Sequence, residues 1–284
     1  MVQRLRGFLS ILRPINSVMM GVAVLVGQAI ASPTAPSLTS TPLPFATAFM
    51  LTAASMVLND YFDVESDKAN QPNRPIPSGV ISQKEALWFS VILATLGLVA
   101  AAFTNTASLI VASLFFALAA FYNAEGKRWG FWGNLMVSAT VAAPFIYGAF
   151  SLGQLPTLLL MLFAALAFLA NTGREVMKGI ADVEGDRLRG VKTIALASGV
   201  KRAAMVAGAF YFAAVAVSPA PILLSLASGL YIPPVAAADV GFVFSAAIVM
   251  NNPAGASARR MKNLSLIWML LGLVGFTAGA RVVL

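Results

Sequence analysis

The sequence predicts an all-α integral membrane protein, a single domain over residues 1–284, with nine transmembrane helices around a central cavity and cytosolic loops capping it. Three observations lead there. Hydrophobic residues fill 59% of the 284 positions and charged ones only 11%, against about 25% charged in ordinary soluble domains. Apolar stretches of roughly 17 to 25 residues, long enough to cross a bilayer as helix, recur along the whole chain, so one cleavable leader does not account for them. Lipid offers backbone amides no partner, so each span must satisfy its own hydrogen bonds as a helix.

Each span is marked by its flanks, which alternate between basic and uncharged. Span one, 14–32, follows Arg4, Arg6 and Arg13. Span two, 43–63, follows the uncharged 33–42 and is followed by Lys68, Arg74 and Lys84. Spans three, 83–103, and four, 106–122, meet at the uncharged 104–105, and four ends near Lys127 and Arg128. Spans five, 131–150, and six, 155–178, meet at the uncharged 151–154. Arg174, Lys178, Arg187, Arg189, Lys192, Lys201 and Arg202 surround the next connection. Span seven, 200–226, carries Ser218-Pro219-Ala220-Pro221, which admits an earlier end. Ile232-Pro233-Pro234 marks the turn into span eight, 233–252, and Arg259, Arg260 and Lys262 precede span nine, 262–282. All basic residues but Arg281 thus fall on one side, which the positive-inside rule makes cytoplasmic, N-terminus included, in a cell membrane. No basic segment interleaved with aromatics suggests nucleic acid.

Most of the eleven acidic residues gather in two clusters, Asn59-Asp60-Tyr61-Phe62-Asp63-Val64-Glu65-Ser66-Asp67 and Asp182-Val183-Glu184-Gly185-Asp186. At helical spacing Asn59, Asp63 and Asp67 advance by about 40° per step and Asp60 shares their sector, so one face presents an amide and three carboxylates. Such a face repels itself unless a cation neutralises it. With no histidine and no cysteine in the chain, thiolate or imidazole metal sites and histidine acid/base chemistry are excluded. A bound metal would have oxygen ligands only, which points to Mg²⁺, with Mn²⁺ and Ca²⁺ as chemical alternatives. Arg174, Lys178, Asp182 and Asp186 recur four residues apart, with Glu175 in their sector. Facing stripes would hold two or more metal ions, ringed by Lys178, Arg74 and Lys127. That set suits a diphosphate head on an apolar tail.

These residues also carry a resemblance. Asn59-Asp-x-x-Asp-x-x-x-Asp67, the following Asn73-Arg74-Pro75-Ile76-Pro77-Ser78-Gly79, Asp182-x-x-x-Asp186 and the early Arg13-Pro14-Ile15-Asn16 resemble the signature of intramembrane UbiA-type prenyltransferases, over essentially the whole chain. The resemblance implies that Asn59, Asp63 and Asp67, with Asp60 close by, bind Mg²⁺ and diphosphate from one side, and Asp182 and Asp186 from the other. Asp63, Asp67, Asp182, Asp186 and Lys178 would carry the catalysis, with Arg74 and Lys178 on phosphate oxygens. The family's Tyr-x-x-x-Lys element is matched imperfectly by Tyr122 and Lys127, five apart. Asn16 would line the substrate cavity. Within the family, Arg174 to Asp186, Asn73 to Gly79 and Asn252-Pro253 look most like archaeal digeranylgeranylglyceryl phosphate synthases. That implies transfer of a geranylgeranyl group from its diphosphate to the hydroxyl of geranylgeranylglyceryl phosphate, in ether-lipid synthesis; the acceptor's phosphate could use Arg187, Arg189 or Lys192. Two other readings stay open: an aromatic acceptor of quinone type, and a divalent-cation or secondary transporter. Against the transporter, ten of the eleven acids sit at the cytosolic end, whereas transporters place ionisable groups near the midplane. The eleventh acid, Asp239, lies inside span eight, and a packed, hydrogen-bonded or interfacial role is expected for it.

Overall fold

The computed structural model describes residues 2–32, 37, 39–188 and 190–280, with the side chains of residues 69, 70 and 188 outside that description. Arg189 and Arg281 therefore lie outside the described residues. The described chain is helical: α1 (Val2–Ile11), α2 (Pro14–Ala31), α3 (Pro42–Phe62), α4 (Val64–Asn70), α5 (Gln83–Thr104), α6 (Thr106–Ala124), α7 (Phe131–Ser151), α8 (Leu158–Ala181), α9 (Val183–Leu188), α10 (Ile194–Ser198), α11 (Val200–Val217), α12 (Ala220–Leu223), α13 (Ile232–Asn251) and α14 (Gly255–Gly279). Nine stretches of described residues are long and apolar enough to cross a membrane, and the chain is a multi-pass membrane protein.

The helix starts follow from local chemistry. Pro14, Pro42 and Pro233 sit in the first turns of α2, α3 and α13, where a missing N–H costs nothing. Ser82 and Glu85 close a reciprocal cap at the start of α5, and the Asn105 side chain accepts from Ser108 N–H where α5 gives way to α6. Two boundaries differ from the sequence expectation. The seventh span is broken after Val217, where Pro219 leads into the short α12, because proline cannot continue the ladder. The last helix begins at Gly255, seven residues before the expected 262, since Arg259, Arg260 and Lys262 are good helix formers that extend it beyond the apolar stretch.

Packing repeats loosely along the chain. In the first half α2, α3, α5 and α6 contact one another in succession; in the second, α7, α8, α11 and α13 do the same, with α14 lying on α13 and α8. The halves join where α2 crosses α7, and glycines make that approach close: a Cβ on Gly27 would fall 2.5 Å from the Phe145 carbonyl oxygen, and one on Gly148 would fall 2.6 Å from that of Val24. Small residues are the usual means of bringing transmembrane helices together, since lipid leaves no hydrophobic drive between them. At the end away from the acidic clusters, Phe163 stacks on Phe276 with centroids 4.1 Å apart and on Tyr231 at 5.7 Å. Nearby, Ser218 Oγ donates to Asp239 Oδ2 at 2.6 Å and Tyr231 donates to the Ser218 carbonyl at 2.8 Å. Asp239 is thus hydrogen-bonded into the packing, far along the chain's fold from the clusters.

Gly148→Val should destabilise the protein by about 1–3 kcal/mol, because the α2–α7 crossing has backbone on both sides and cannot yield. Gly272→Ala, where an added Cβ meets nothing within 4 Å, should leave stability unchanged or raise it slightly. Thermal unfolding of both variants in detergent checks the contrast.

Candidate active site

The first acidic cluster is not one continuous helical face. Helix α3 ends at Phe62, α4 begins at Val64, and Asp63 between them has φ −92° and ψ 5°. The 4-residue hydrogen bonds nevertheless carry across the break, from Asp63 N–H to the Asn59 carbonyl at 3.0 Å and from Asp67 N–H to the Asp63 carbonyl at 2.8 Å. The four-residue register of the acidic positions therefore survives the break. Each has acquired a cation. Asp60, buried at 5% exposure, accepts from Arg13 at 2.6 Å and lies 3.5 Å from Arg74; Arg74 also holds Asp67 Oδ2 at 2.6 Å, and Lys127 pairs with Asp63 Oδ1. Asn59 donates to Asn123 Oδ1 at 3.3 Å, and Asn123 in turn donates to the Ser55 carbonyl and hydroxyl at 3.0 Å.

The second cluster repeats the device. Helix α8 stops at Ala181 and α9 starts at Val183, with Asp182 at the break; Asp182 N–H reaches the Lys178 carbonyl at 3.1 Å and Asp186 N–H the Asp182 carbonyl at 2.9 Å. In both clusters the break falls on the first aspartate of an Asp-x-x-x-Asp pair. Asp186 is buried and Asp182 exposed. The Asp182 carboxylate lies against Gly185, where a Cβ would come within 2.4 Å of Oδ1. Gly185 thus gives the carboxylate room rather than merely weakening a helical turn. Two turns earlier, buried Glu175 takes Lys178 at 2.6 Å and Arg174 at 3.1 Å.

Tyr122, at the end of α6, links the two: its hydroxyl is within electrostatic reach of Asp63, Glu175 and Asp186. Lys127 follows in the 3₁₀ turn Gly126–Trp129, so one connection carries both residues. That turn is held against the second long connection at Gly130, whose φ of +58° and closeness to the Lys192 carbonyl leave no room for a side chain. Asn16 is exposed in the first turn of α2. Arg13, Asn123 and the double pairing of Glu175 are the contacts that sequence reasoning missed. Arg13 has a left-handed backbone, φ 46° and ψ 65°, a conformation that an arginine before proline adopts only where its surroundings impose it. The Arg-Pro step preceding α2 was its one signal in the sequence; Asn123 had none.

Among the described residues, no three Asp, Glu, His or Cys side chains are grouped as a ready metal cage. The donor set nonetheless suits Mg²⁺. Asp63 and Asp67 each pair through one oxygen, Oδ1 and Oδ2 respectively, and Mg²⁺ in phosphate-handling sites takes one or two carboxylates, with substrate oxygens and water completing its octahedron.

Comparison with known proteins identifies the family. Residues 20–276 match the UbiA prenyltransferase family. A digeranylgeranylglyceryl phosphate synthase of Archaeoglobus fulgidus is 37% identical over 280 residues, spanning 97% of this chain and 96% of that protein. A solved structure described as a digeranylgeranylglyceryl phosphate synthase in membranes superposes with a TM-score of 0.83 at 29% identity, covering 98% of this chain and 99% of the other. A UbiA homologue of Archaeoglobus fulgidus bound to GPP and Mg²⁺ shares the fold, with a TM-score of 0.65 at 17% identity over 95% of this chain and 99% of its own. By a family match that covers most of its length and by the identity of its full-length relatives, the chain belongs to the UbiA prenyltransferase family.

Proposed function

We propose that this prenyltransferase moves a geranylgeranyl group from its diphosphate to the free hydroxyl of geranylgeranylglyceryl phosphate, forming the second ether of an archaeal lipid, at the cytosolic face of the cell membrane. The observation that carries the reading is the pair of matched helix breaks at Asp63 and Asp182, set at one end of the helices and flanked by Arg74, Lys127 and Lys178. The name carried by relatives at this identity and coverage supports the acceptor. The excess of basic residues at the same end supports the cytosolic orientation.

The donor's diphosphate would lie between the two breaks. Asn59, Asp60, Asp63 and Asp67 on one side and Asp182 and Asp186 on the other would hold Mg²⁺, at least two ions in this reading. When bound, Mg²⁺ supplies charge neutralisation of the leaving diphosphate. Arg74 and Lys127, now paired with Asp67 and Asp63, would turn toward phosphate oxygens, and Lys178 would do so from the second side. As the allylic carbon–oxygen bond breaks, its electron pair leaves with the diphosphate, and these cations stabilise the growing negative charge. The acceptor's hydroxyl oxygen then attacks the electron-poor allylic carbon, and its proton departs with the diphosphate. The apolar spans below the site exclude water, which would otherwise trap the carbon as an alcohol.

Purified protein given geranylgeranyl diphosphate with geranylgeranylglyceryl phosphate should form the diether product, read by mass spectrometry, and EDTA should abolish it. Product only with an aromatic acceptor would replace this acceptor assignment, and cation uptake without turnover would favour a carrier. Asp63→Ala and Asp182→Ala should each lower turnover by about 10²-fold or more while the proteins remain folded; near-normal activity in either would sink its metal role. Arg74→Lys should fall between the parent and Arg74→Gln in the KM for donor, because an ammonium supplies the charge without the planar fork that suits two phosphate oxygens.

A further inference from the structure

Beside the acidic clusters, the same end of the molecule holds an excess of the opposite charge. The Lys262 ammonium on α14 is within electrostatic reach of Arg259 on its own helix, of Arg174 and Lys178 on α8, and of Glu175. Four cations there face one carboxylate. Glu175 is already committed to Arg174 and Lys178. The two arginines are pinned by backbone: Arg174 Nε donates to the Lys262 carbonyl at 3.2 Å, and Arg259 Nη2 to the Ala181 carbonyl at 3.2 Å. Half-buried Lys262 has no hydrogen-bonding or ion-pairing partner for its ammonium among the described residues. On the same α8–α14 seam an open groove of about 520 Å³ is lined by Ala181, Gly255, Ala256, Arg259, Arg260 and Asn263. Ala181 immediately precedes Asp182, so the groove opens one residue from the second cluster.

Topology accounts for basic residues near a membrane surface, but it does not require Arg174 and Lys262 to be half-buried between packed helices. Like charges held together out of bulk water repel more strongly than on an open surface, so the cluster is built to receive an anion. Arg74, Lys127 and Lys178 are assigned to the diphosphate, which leaves Arg174, Arg259 and Lys262 at the seam. What remains in the proposed reaction is the acceptor's phosphomonoester, which carries nearly two negative charges at neutral pH, and oxygens that suit both an arginine fork and a lysine point charge. Arg187 and Lys192 fit it less well, and Arg189 lies outside the described residues. Arg187 is exposed and spent on Glu184 at 3.4 Å, and Lys192 is exposed.

We infer that the α8–α14 seam, where Arg259 lines the groove and Lys262 and Arg174 stand beside it, binds the phosphate of the lipid acceptor and so fixes where the acceptor's hydroxyl meets the donor carbon. This inference rests on the acceptor assigned under the proposed function. Its test uses full-length protein in phosphatidylcholine vesicles, with geranylgeranylglyceryl phosphate and its dephosphorylated analogue as acceptors. Lys262→Gln should raise the KM for the phosphorylated acceptor on the order of tenfold, leave the KM for geranylgeranyl diphosphate unchanged, and make no difference with the dephosphorylated analogue. Lys262→Arg should restore the parent's acceptor KM, which a merely structural lysine would not predict. If Lys262→Gln does not fold, Arg259→Gln carries the same comparison. An equal penalty with both acceptors, or a penalty on the donor KM, overturns the inference. So does a penalty that appears only when anionic phosphatidylglycerol is added, since the seam would then be reading bulk headgroups. Turnover of the phosphorylated acceptor by the parent, with unchanged constants in the variants, defeats this inference alone; no turnover of it by the parent defeats the proposed function as well.

Discussion

Everything at the functional end depends on keeping carboxylates charged and close together at the edge of a low-dielectric bundle. Isolated, Asp60 and Asp67 would be costly to bury, and their mutual repulsion would push the α3–α4 break open. Arg74 answers both problems because one guanidinium nitrogen, Nη1, lies between them, at 3.5 Å from Asp60 and 2.6 Å from Asp67. Arg13 completes the balance at the same oxygen of Asp60, Oδ1, at 2.6 Å, although its own backbone must adopt a left-handed conformation to stand there. Breaking a buried pair by removing one partner is worth about 3–5 kcal/mol, so the network is also what holds the first connection against the helices. The α1 helix shares in this. Its Gly7 lies against Val80 and Ile81 of that connection, and Arg4 pairs with Glu85 just beyond it. The N-terminus, the first acidic cluster and the loop after it are thus one electrostatic and packing unit.

The same balance explains why the clusters bend where they do. A straight helix would carry Asp63 and Asp67 along its axis and out toward solvent. A single non-helical residue at Asp63, and again at Asp182, turns the next helix while preserving the i to i−4 bonds on either side. That both breaks occur at equivalent places, each closing a span and separated by four further spans, fits a doubled ancestral unit better than it fits two independent accidents. The succession of contacts from α2 to α6 and from α7 to α13 points the same way.

Much of this was legible in the sequence, for reasons that differ by residue. The spans were legible because apolar length and alternating charge are averages over many positions, and the early start of α14 was missed because helix propensity and hydropathy part company at Arg259 and Lys262. The acidic clusters were legible from spacing. Their bends were not, since the hydrogen-bond register that spacing describes survives a one-residue break, and nothing local to Asp63 or Asp182 announces it. Asp239 was readable as a packed group from its distance to the clusters, and Ser218 supplies the partner. Arg13 to Asp60 and Asn59 to Asn123 join residues 47 and 64 positions apart, and a single sequence without its contacts holds no record of such pairs.

Charge also orders the two ends of the site. Carboxylates gather at the two breaks, where a metal-borne diphosphate would reverse their sign, while cations outnumber acids on the α8–α14 seam. Glu175 stands between them. It is close enough to Tyr122 to belong to the first environment and ion-paired to Arg174 and Lys178 in the second. A substrate pair with one diphosphate and one monophosphate would therefore meet two fields of different strength, one set by metal and one by side chains alone. The donor would gain most where its charge grows during bond breaking, and the acceptor, whose phosphate does not change charge, would be held by binding that is equal before and during reaction. That division would place selectivity for the acceptor on α8 and α14 and the chemistry on the two breaks, so the former could vary without disabling the latter.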